Sequence, residues 1–437
     1  MTSVNLPESQ PQYAVADEHL ISVANHPSHM EAIPPSRMFT IKKSLQKYRS
    51  HAGANAPIYD ASQGDGGESL PGVPRAILER AAQMQIEAGT GYDAPAGTER
   101  FRKATAEIYW KIDPATGWDG GNVVAVQGGR DGLQKAYEAM IHLGHGRVGD
   151  VLITSAVPWI SYNWGPYAAG LNVLRAPGDA NAAWVYTEDA LVEAVNYAKK
   201  SGRLPAGILI TSPDNPTGRT LDIEIQISLA KKALELGVAY VLFDWIYHYV
   251  TQGQPHDINV VLNAFEPAER DRLIFLDGLT KSLGASNIRS CHLVASKKVC
   301  EFITSRASHG VITSFFSQAI AIAAYEIGFA EACKSIVEPT NASRQVMRKF
   351  IADKHLKAIM GDGYYGFIDV TEWIEKKGLA DSGELGQKVA EQFGVAVVPG
   401  IFFSDAAKNW VRFSYALPPE RTATAINRFY EGLNGLE

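Results

Sequence analysis

From Asn122 to Leu276 the chain repeats one pattern: an apolar run of strand length, a polar turn, then a segment with apolar residues at helical spacing. The runs are Val123–Val126, Val151–Ile153, Asn172–Leu174, Gly207–Ile210, Tyr240–Phe243 and Leu273–Leu276. Their apolar positions are continuous rather than alternating, so each strand must be covered on both faces. Ile223–Leu236 places Leu229, Ala233 and Leu236 on one face and stops at Gly237; Gly132–Leu143, Trp159–Ala169 and Thr187–Lys200 read as further helices. The alternation predicts an α/β fold, a mostly parallel sheet sandwiched by helices. Such sheets bind ligands beyond the carboxyl ends of their strands.

Those ends carry an unusual set of residues. Val123–Val126 runs into Gly128–Gly129–Arg130 at a helix start, where free backbone N–H groups attract an anion. Gly207–Ile210 runs into Ser212–Pro213–Asp214–Asn215–Pro216–Thr217–Gly218, whose two prolines hold the Asn215 amide rigidly. Tyr240–Phe243 delivers Asp244, with Tyr247 three residues on. A carboxylate straight after a buried strand needs a cationic or N–H partner. Leu273–Leu276 delivers Lys281, and Arg289 comes eight residues later. Taken alone, Lys281 is most simply a surface lysine and Gly128–Gly129 a plain turn. Beside buried apolar sequence, however, a lysine loses solvation, its pKa falls, and it suits attack on a carbonyl. The whole set matches the needs of pyridoxal 5'-phosphate. The lysine takes the aldehyde, the carboxylate the pyridine nitrogen, the phenol and amide the ring oxygen, and the glycine amides and arginine the phosphate.

In this order the motifs resemble those of the fold-type I pyridoxal-phosphate aminotransferases of class I/II, the aspartate aminotransferase superfamily. Ser212–Gly218 is similar to the family's N-P-x-G loop and Asp244–Trp245–Ile246–Tyr247 to its D-x-x-Y; Lys281 with Arg289 is similar to its K-x7-R, and the likeness spans most of residues 58–430. The resemblance implies a seven-stranded-type sheet in a large cofactor domain (71–330). It also implies an N-terminal arm and small-domain segment (1–70) and a C-terminal small domain (331–437). Lys281 becomes the catalytic Schiff-base lysine, Asp244 the partner of the pyridine nitrogen, and Tyr247 and Asn215 the holders of the ring oxygen. Gly129, Arg130 and Arg289 become phosphate ligands. Trp159 falls where an aromatic stacks on the ring, a core tryptophan being the alternative. Tyr92 matches a tyrosine lent to the phosphate by the neighbouring subunit, which implies a homodimer with shared active sites. Arg412 matches the arginine that grips the substrate α-carboxylate in a bidentate pair, with Asn215 and Gly66 also at the substrate. Tyr365 and Pro399–Gly400 match small-domain elements around the site. One departure stands out: Gly278 lies where many relatives have a phosphate-binding serine. Thr280 precedes the lysine, and Ala285, Ser286, Asn287 and Ser290–Cys291 fill a loop usually richer in glycine.

Residues 1–55 are polar and irregular and predict an arm with one short helix. Ile58–Ala61 starts a short strand, and Gln63–Gly67 is a glycine loop that lets backbone approach a ligand. Pro74–Glu87 reads as a helix; Thr98 caps another, with Phe101, Ala104 and Ile108 on one face. After Ser314 the pattern is helical to Lys354. Tyr364–Ile368, Leu385–Phe393, Val395–Val398, Trp410–Tyr415 and Glu420–Leu433 then form a second α/β set.

A formal charge of −6 argues against nucleic-acid binding, and no apolar run approaches the ~20 residues of a membrane span. No signal peptide is visible, and Cys291, Cys300 and Cys333 lack C-x-x-C spacing, as suits reduced thiols in a cytoplasmic protein. His26 with His29 and His142 with His145 lack carboxylate or cysteine partners, so no metal is expected. Gly144–Gly149 fits G-x-G-x-x-G but comes after a helix, not a strand, and Cys291 and His292 point opposite ways along a strand.

The expected function is aminotransfer between an L-amino acid and a 2-oxo acid. The same residues also serve elimination, ring closure, racemisation or oxygen-dependent oxidation. A non-catalytic cofactor-binding regulator is the reading from another class, although residues 1–55 lack a basic helix-turn-helix. Trp159, Tyr162, Trp164, Trp245 and Phe315–Phe316 are candidates for lining the substrate pocket.

Overall fold

The computed structural model describes residues 20–21, 37–251 and 255–436. His26, His29 and most of the expected arm lie outside them. The strands described are β1 (Leu20–Ile21), β2 (Tyr59–Asp60), β3 (Val123–Val126), β4 (Val151–Thr154), β5 (Asn172–Arg175), β6 (Pro205–Thr211) and β7 (Tyr240–Asp244). They continue with β8 (Leu273–Gly278), β9 (Cys291–Ala295), β10 (Ala358–Met360), β11 (Tyr365–Asp369), β12 (Val395–Ala396), β13 (Val398–Pro399) and β14 (Trp410–Ser414).

Eight of them form one sheet in the order β1-β5-β4-β6-β7-β8-β9-β3. Strands β5, β4, β6, β7 and β8 are parallel, whereas β9 is antiparallel to both its neighbours and β1 is antiparallel to β5. The mostly parallel α/β sheet is therefore present, with two-residue β1 added at one edge. Every residue of β3, β4, β5, β7 and β8 is buried, the reason their sequences are apolar without alternation. Successive side chains feed two cores. Ile208, Val241, Phe243 and Phe275 face one layer of helices, and Leu209, Leu242, Ile274 and Leu276 the other.

Several helices differ from expectation. Thr98 does cap Glu99–Ala104, its Oγ1 accepting from Phe101 N at 3.2 Å. The chain then widens into a π-helical turn over Thr105–Tyr109. The extra residue in that turn rotates the rest of the helix, so Tyr109 is buried and Ile108 is 47% exposed. Ile108 does not share the buried face with Phe101 and Ala104. The helix expected from Gly132 begins at Gly129 and runs to Ala139, and a second π turn spans Met140–His145. The expected short arm helix is a 15-residue one, Met38–Ala52. The helical stretch after Ser314 is three helices, Phe315–Glu326, Phe329–Ala332 and Lys334–Asp353, the first break falling at Gly328 with φ +89°.

The two ends of the described chain meet in a second layer. Strands β10-β11-β14-β13 form an antiparallel sheet, and β2 pairs in parallel with β12. Val395–Val398, expected as one strand, is split between these sheets, because β12 pairs with β2 while β13 pairs with β14. Ala61, Phe350, Ile368, Val411, Phe413 and Phe429 belong to a third core under this layer. No helix among the described residues is long and apolar enough to cross a membrane.

Candidate active site

A cavity of about 240 Å³ lies off the carboxyl ends of β3, β6, β7 and β8. Gly129, Arg130, Trp159, Asn215, Asp244, Tyr247, Lys281 and Arg289, all expected from the sequence, line it. A larger cavity of about 1020 Å³ shares Arg130, Trp159, Asn215, Tyr247 and Lys281 with it and reaches Arg412.

Asp244, the last residue of β7 and 3% exposed, lines the smaller cavity. Tyr162 OH donates to its Oδ2 at 2.6 Å and Ile246 N to its Oδ1 at 3.2 Å. Burial pushes the Asp244 pKa up to about 6, against the lowering by these donors, and the nearby Asp277 adds to the rise. A carboxylate held this way is stabilised by a cation brought to it. Two arginines line the same cavity, Arg130 after β3 and Arg289 before β9. Arg130, in the first turn of the Gly129–Ala139 helix, lays its guanidinium over Trp159, 5.5 Å from the ring centroid. Desolvation and the neighbouring Arg289 lower its pKa. Arg289, at φ +60°, donates to Ser286 O at 2.9 Å and Gln127 O at 3.1 Å. Its guanidinium crosses Gly128, where any side chain would collide with it. Both arginines line the smaller cavity and lie within electrostatic reach of each other.

Lys281 lies in the turn Leu279–Ser282 that succeeds β8, the strand between β7 and β9. Its Nζ donates to Gly64 O and lies 5.5 Å from the Tyr247 ring centroid. Tyr247 OH is 2.8 Å from Tyr365 OH, and burial raises the Tyr247 pKa well above its ordinary value. Arg412, on β14 and 4% exposed, donates from Nη1 to Asn215 Oδ1 and from Nη2 to Ser62 O, both at 2.7 Å. Its guanidinium sits 4.2 Å over the Tyr365 ring, and its buried Nε–H has no partner among the described residues. The Asn215 loop closes on this group through Gly218, at φ +73°, where a side chain would strike Tyr365 O.

Gly278 is glycine because Cys291 fills its place: a Cβ there would lie 2.5 Å from Cys291 Cα and 2.6 Å from Ser290 O. Thr280 and Ser286 line the smaller cavity, the Thr280 hydroxyl 3.4 Å from Cys291 Sγ and the Ser286 hydroxyl donating to Asp65. Gly66 is turned away. Its Cβ position faces Tyr364 OH at 2.7 Å, and Gly64 takes the cavity wall in its stead. Tyr92 is 103% exposed. Trp159 and Trp164 line the larger cavity and Tyr162 the smaller, but Trp245 is fully buried and Phe315 and Phe316 pack against the core.

Three side chains acquire roles that sequence reasoning misses: Tyr162 as donor to Asp244, Tyr365 as partner of Tyr247, and Asp277. Fully buried Asp277 lies 2.7 Å from His248 Nε2 and accepts from Tyr109 OH. Its only sequence signal is a carboxylate at the end of an apolar run.

A family profile described as "Aminotransferase class I and II" matches residues 60–429. An aspartate aminotransferase of Pyrococcus horikoshii is 26% identical over 369 residues, covering 83% of this chain and 88% of that protein. A (5-formylfuran-3-yl)methyl phosphate transaminase of Methanocaldococcus jannaschii is 25% identical over 375 residues, covering 84% and 90% respectively. Among solved structures, a double mutant of Thermus thermophilus aspartate aminotransferase superposes with a TM-score of 0.78 at 21% identity, covering 93% of this chain and 99% of that one.

Proposed function

The chain belongs to the class I and II aminotransferase family and is a transaminase; from that premise we propose that its cofactor is pyridoxal 5'-phosphate. The observation that carries this is the lining of one cavity. A buried carboxylate with a raised pKa comes off β7, a lysine off β8 and two arginines from beside β9 and β3, in the order of the sheet, and all four line one cavity. The donor set fits the group. Asp244 would hold the pyridine nitrogen, Tyr247 and Asn215 the ring oxygen, and Trp159 a ring face. Gly129, Arg130 and Arg289 would hold the phosphate. When bound, the cofactor supplies an aldehyde that takes the amino group and a protonated ring that draws electrons from the substrate.

The remaining steps belong to this chain. Arg412 grips the α-carboxylate, its free Nε–H and an Nη forming the two-pronged pair. Asn215 and Ser62 hold the guanidinium plane before the substrate arrives, so little orientation is lost on binding. Among the described residues Lys281 Nζ is the only amine lining either cavity, so it takes the proton from the substrate Cα and later returns it. Tyr162 keeps Asp244 aimed.

The protein we propose is a cytoplasmic homodimer, with a large cofactor domain and a small domain built from both ends of the chain. Fully exposed Tyr92 supports the dimer, as a side chain that is free to serve the partner's phosphate site. Three buried free thiols support a reducing compartment. The aspartate aminotransferases among the relatives make aspartate the first donor to try.

The test mixes holoenzyme with single amino acids and follows the visible spectrum together with oxo acid, ammonia and oxygen. One oxo acid per site without ammonia is expected. Ammonia release or oxygen uptake overturns the reading. Lys281→Ala should lose the borohydride-fixable cofactor and all turnover; an unchanged spectrum overturns the assignment of Lys281.

A further inference from the structure

Asp277 is a buried carboxylate that the proposed reaction leaves unused. It lies on β8, one residue beyond Leu276, which pairs across the sheet with Asp244 on β7. Strands ~4.8 Å apart that rise ~3.3 Å per residue put the two Cα atoms roughly 6 Å apart. The side chains leave opposite faces of the sheet. Asp244 turns to Tyr162, and Asp277 to Tyr109 and His248. Tyr109 OH donates to Asp277 Oδ2, His248 Nε2 lies 2.7 Å from the same oxygen, and Gly278 N donates to Oδ1 at 2.6 Å. An ionised carboxylate accepts from all three.

No cation neutralises this group. No lysine or arginine among the described residues pairs with it. An uncharged His248 has one N–H, and Asp277 receives it. The His248 Nδ1 is buried and has no partner among the described residues, and its ring centroid is 5.0 Å from that of Trp110 and 5.8 Å from that of Trp245. A second proton on that nitrogen would be a charged donor with nothing to accept it, so the pair carries one net negative charge. Burial lowers the pKa of His292, opposite Asp277 on β9, to about 4, and that of His256, 6.2 Å from His248, to about 3. Burial raises the pKa values of Tyr109, Tyr249, Tyr325, Cys291 and Cys333, so these too are uncharged at neutral pH. A purely structural bond at this place needs no charge, since an asparagine reaches the same partners. One strand from Asp244, the charge itself has an effect, and Asp277 is among the groups that raise the Asp244 pKa.

Resting on the reading of the site as a cofactor pocket, we propose that Asp277 is a positioning residue. It is a second carboxylate, one strand from Asp244, whose charge adds to that of Asp244 in holding a protonated ring nitrogen. Two negative charges instead of one then meet the positive charge brought to the ends of β7 and β8. Tyr162 OH and Ile246 N donate to Asp244 and keep it an acceptor, so the proton stays on the nitrogen.

Asp277→Asn removes the charge and keeps the shape. Its amide can donate to Tyr109, and to His248 Nε2 once that ring carries its proton on Nδ1. Cofactor-free native protein and variant are each titrated with pyridoxal 5'-phosphate and with its analogue in which C–H replaces the ring nitrogen. Any change in the attraction of the phosphate, or in Lys281, alters both affinities alike and cancels from their ratio. In the native protein the ratio should favour the nitrogen compound, and in Asp277→Asn it should fall about tenfold. An unchanged ratio overturns the proposal, even where the melting temperature or both affinities drop, because that is the mark of a merely structural role. If Asp277→Asn does not fold, Asp277→Thr, neutral and a good strand former, is titrated in its place. Failure of both to fold makes the role structural and overturns the proposal as well. A native protein that binds neither compound condemns the cofactor reading itself, whereas tight binding with an unchanged ratio condemns the role of Asp277 alone.

Discussion

Gly278→Ser restores the residue that many relatives carry beside the cofactor phosphate, and here it should cost stability without improving cofactor binding. Gly278 ends β8 and pairs across the sheet with Cys291. A Cβ at Gly278 would sit 2.5 Å from Cys291 Cα and 2.6 Å from Ser290 O, and nearer still to Cys291 Sγ. Non-bonded carbon contacts settle at about 3.5–4.0 Å, so each must open by roughly 1 Å. The sulfur can swing aside, but the other two atoms belong to a paired strand, and Leu279 N already binds Ser290 O at 3.0 Å. Overpacking costs about 1–3 kcal/mol, and losing one or two ladder hydrogen bonds adds ~1 kcal/mol each. The total is on the order of 2–5 kcal/mol. With an unfolding entropy of about 2 cal/mol/K per residue, a chain of 437 residues should melt about 2–6 °C lower. Calorimetry of the cofactor-free protein reads the melting point, and an absorbance titration reads cofactor affinity. Adding Cys291→Ala should recover only part of the loss, since it removes one of the three contacts. An unchanged melting point with tighter cofactor binding would refute the reasoning.

Arg412→Lys should lower kcat/KM for amino acids by about a hundredfold to a thousandfold, the loss of two charge-assisted bonds of ~1.5–2 kcal/mol each, and leave cofactor affinity unchanged. Equal damage to both would place Arg412 in the cofactor site rather than at the substrate. Asp244 and Asp214 are each raised from 3.8 to about 6 by burial, so between pH 4 and 6 the native cofactor-free protein binds protons that the unfolded chain has released. Its stability should therefore fall as pH rises through that window. Asp244→Asn should remove its share of the fall, at most on the order of 3 kcal/mol; melting curves from pH 4 to 7 that keep the native slope would show that Asp244 is not raised.

The sheet is legible because its strands are buried on both faces and so carry uninterrupted apolar runs. The site is legible because Asp244, Lys281 and Asn215 each come soon after such a run. The features that escape depend on geometry without a local sequence mark. The π turn at Thr105–Tyr109 inserts one residue into a helical repeat, and nothing in the spacing of Phe101, Ala104 and Ile108 announces it. The division of Val395–Val398 is set by two different partners, one of them more than 300 residues away. Tyr162 stands out in the sequence as an aromatic, but its value lies in where its hydroxyl points. The resemblance puts Tyr365 near the site, while its bond to Tyr247 spans 118 residues. The sequence brings the Gly64–Gly66 stretch near the substrate as a whole, and only the structure separates Gly64, beside Lys281, from Gly66, which faces Tyr364.

The pairing of β2 with β12 sets an order of events during synthesis on the ribosome. The residues proposed to hold the cofactor, from Gly129 to Arg289, are all made before the small layer can close. Strand β2 must wait for Val395–Ala396, and Ser62 meets Arg412 only when roughly 120 residues beyond Arg289 have been added. A nascent chain therefore possesses the residues proposed to hold the cofactor well before those proposed to grip an amino acid come together. Through that interval the Met38–Ala52 helix has no Ser382–Phe393 helix to cover Ile41, Leu45 and Tyr48. Those side chains are the surface that a trigger-type chaperone on the ribosome would have to shield.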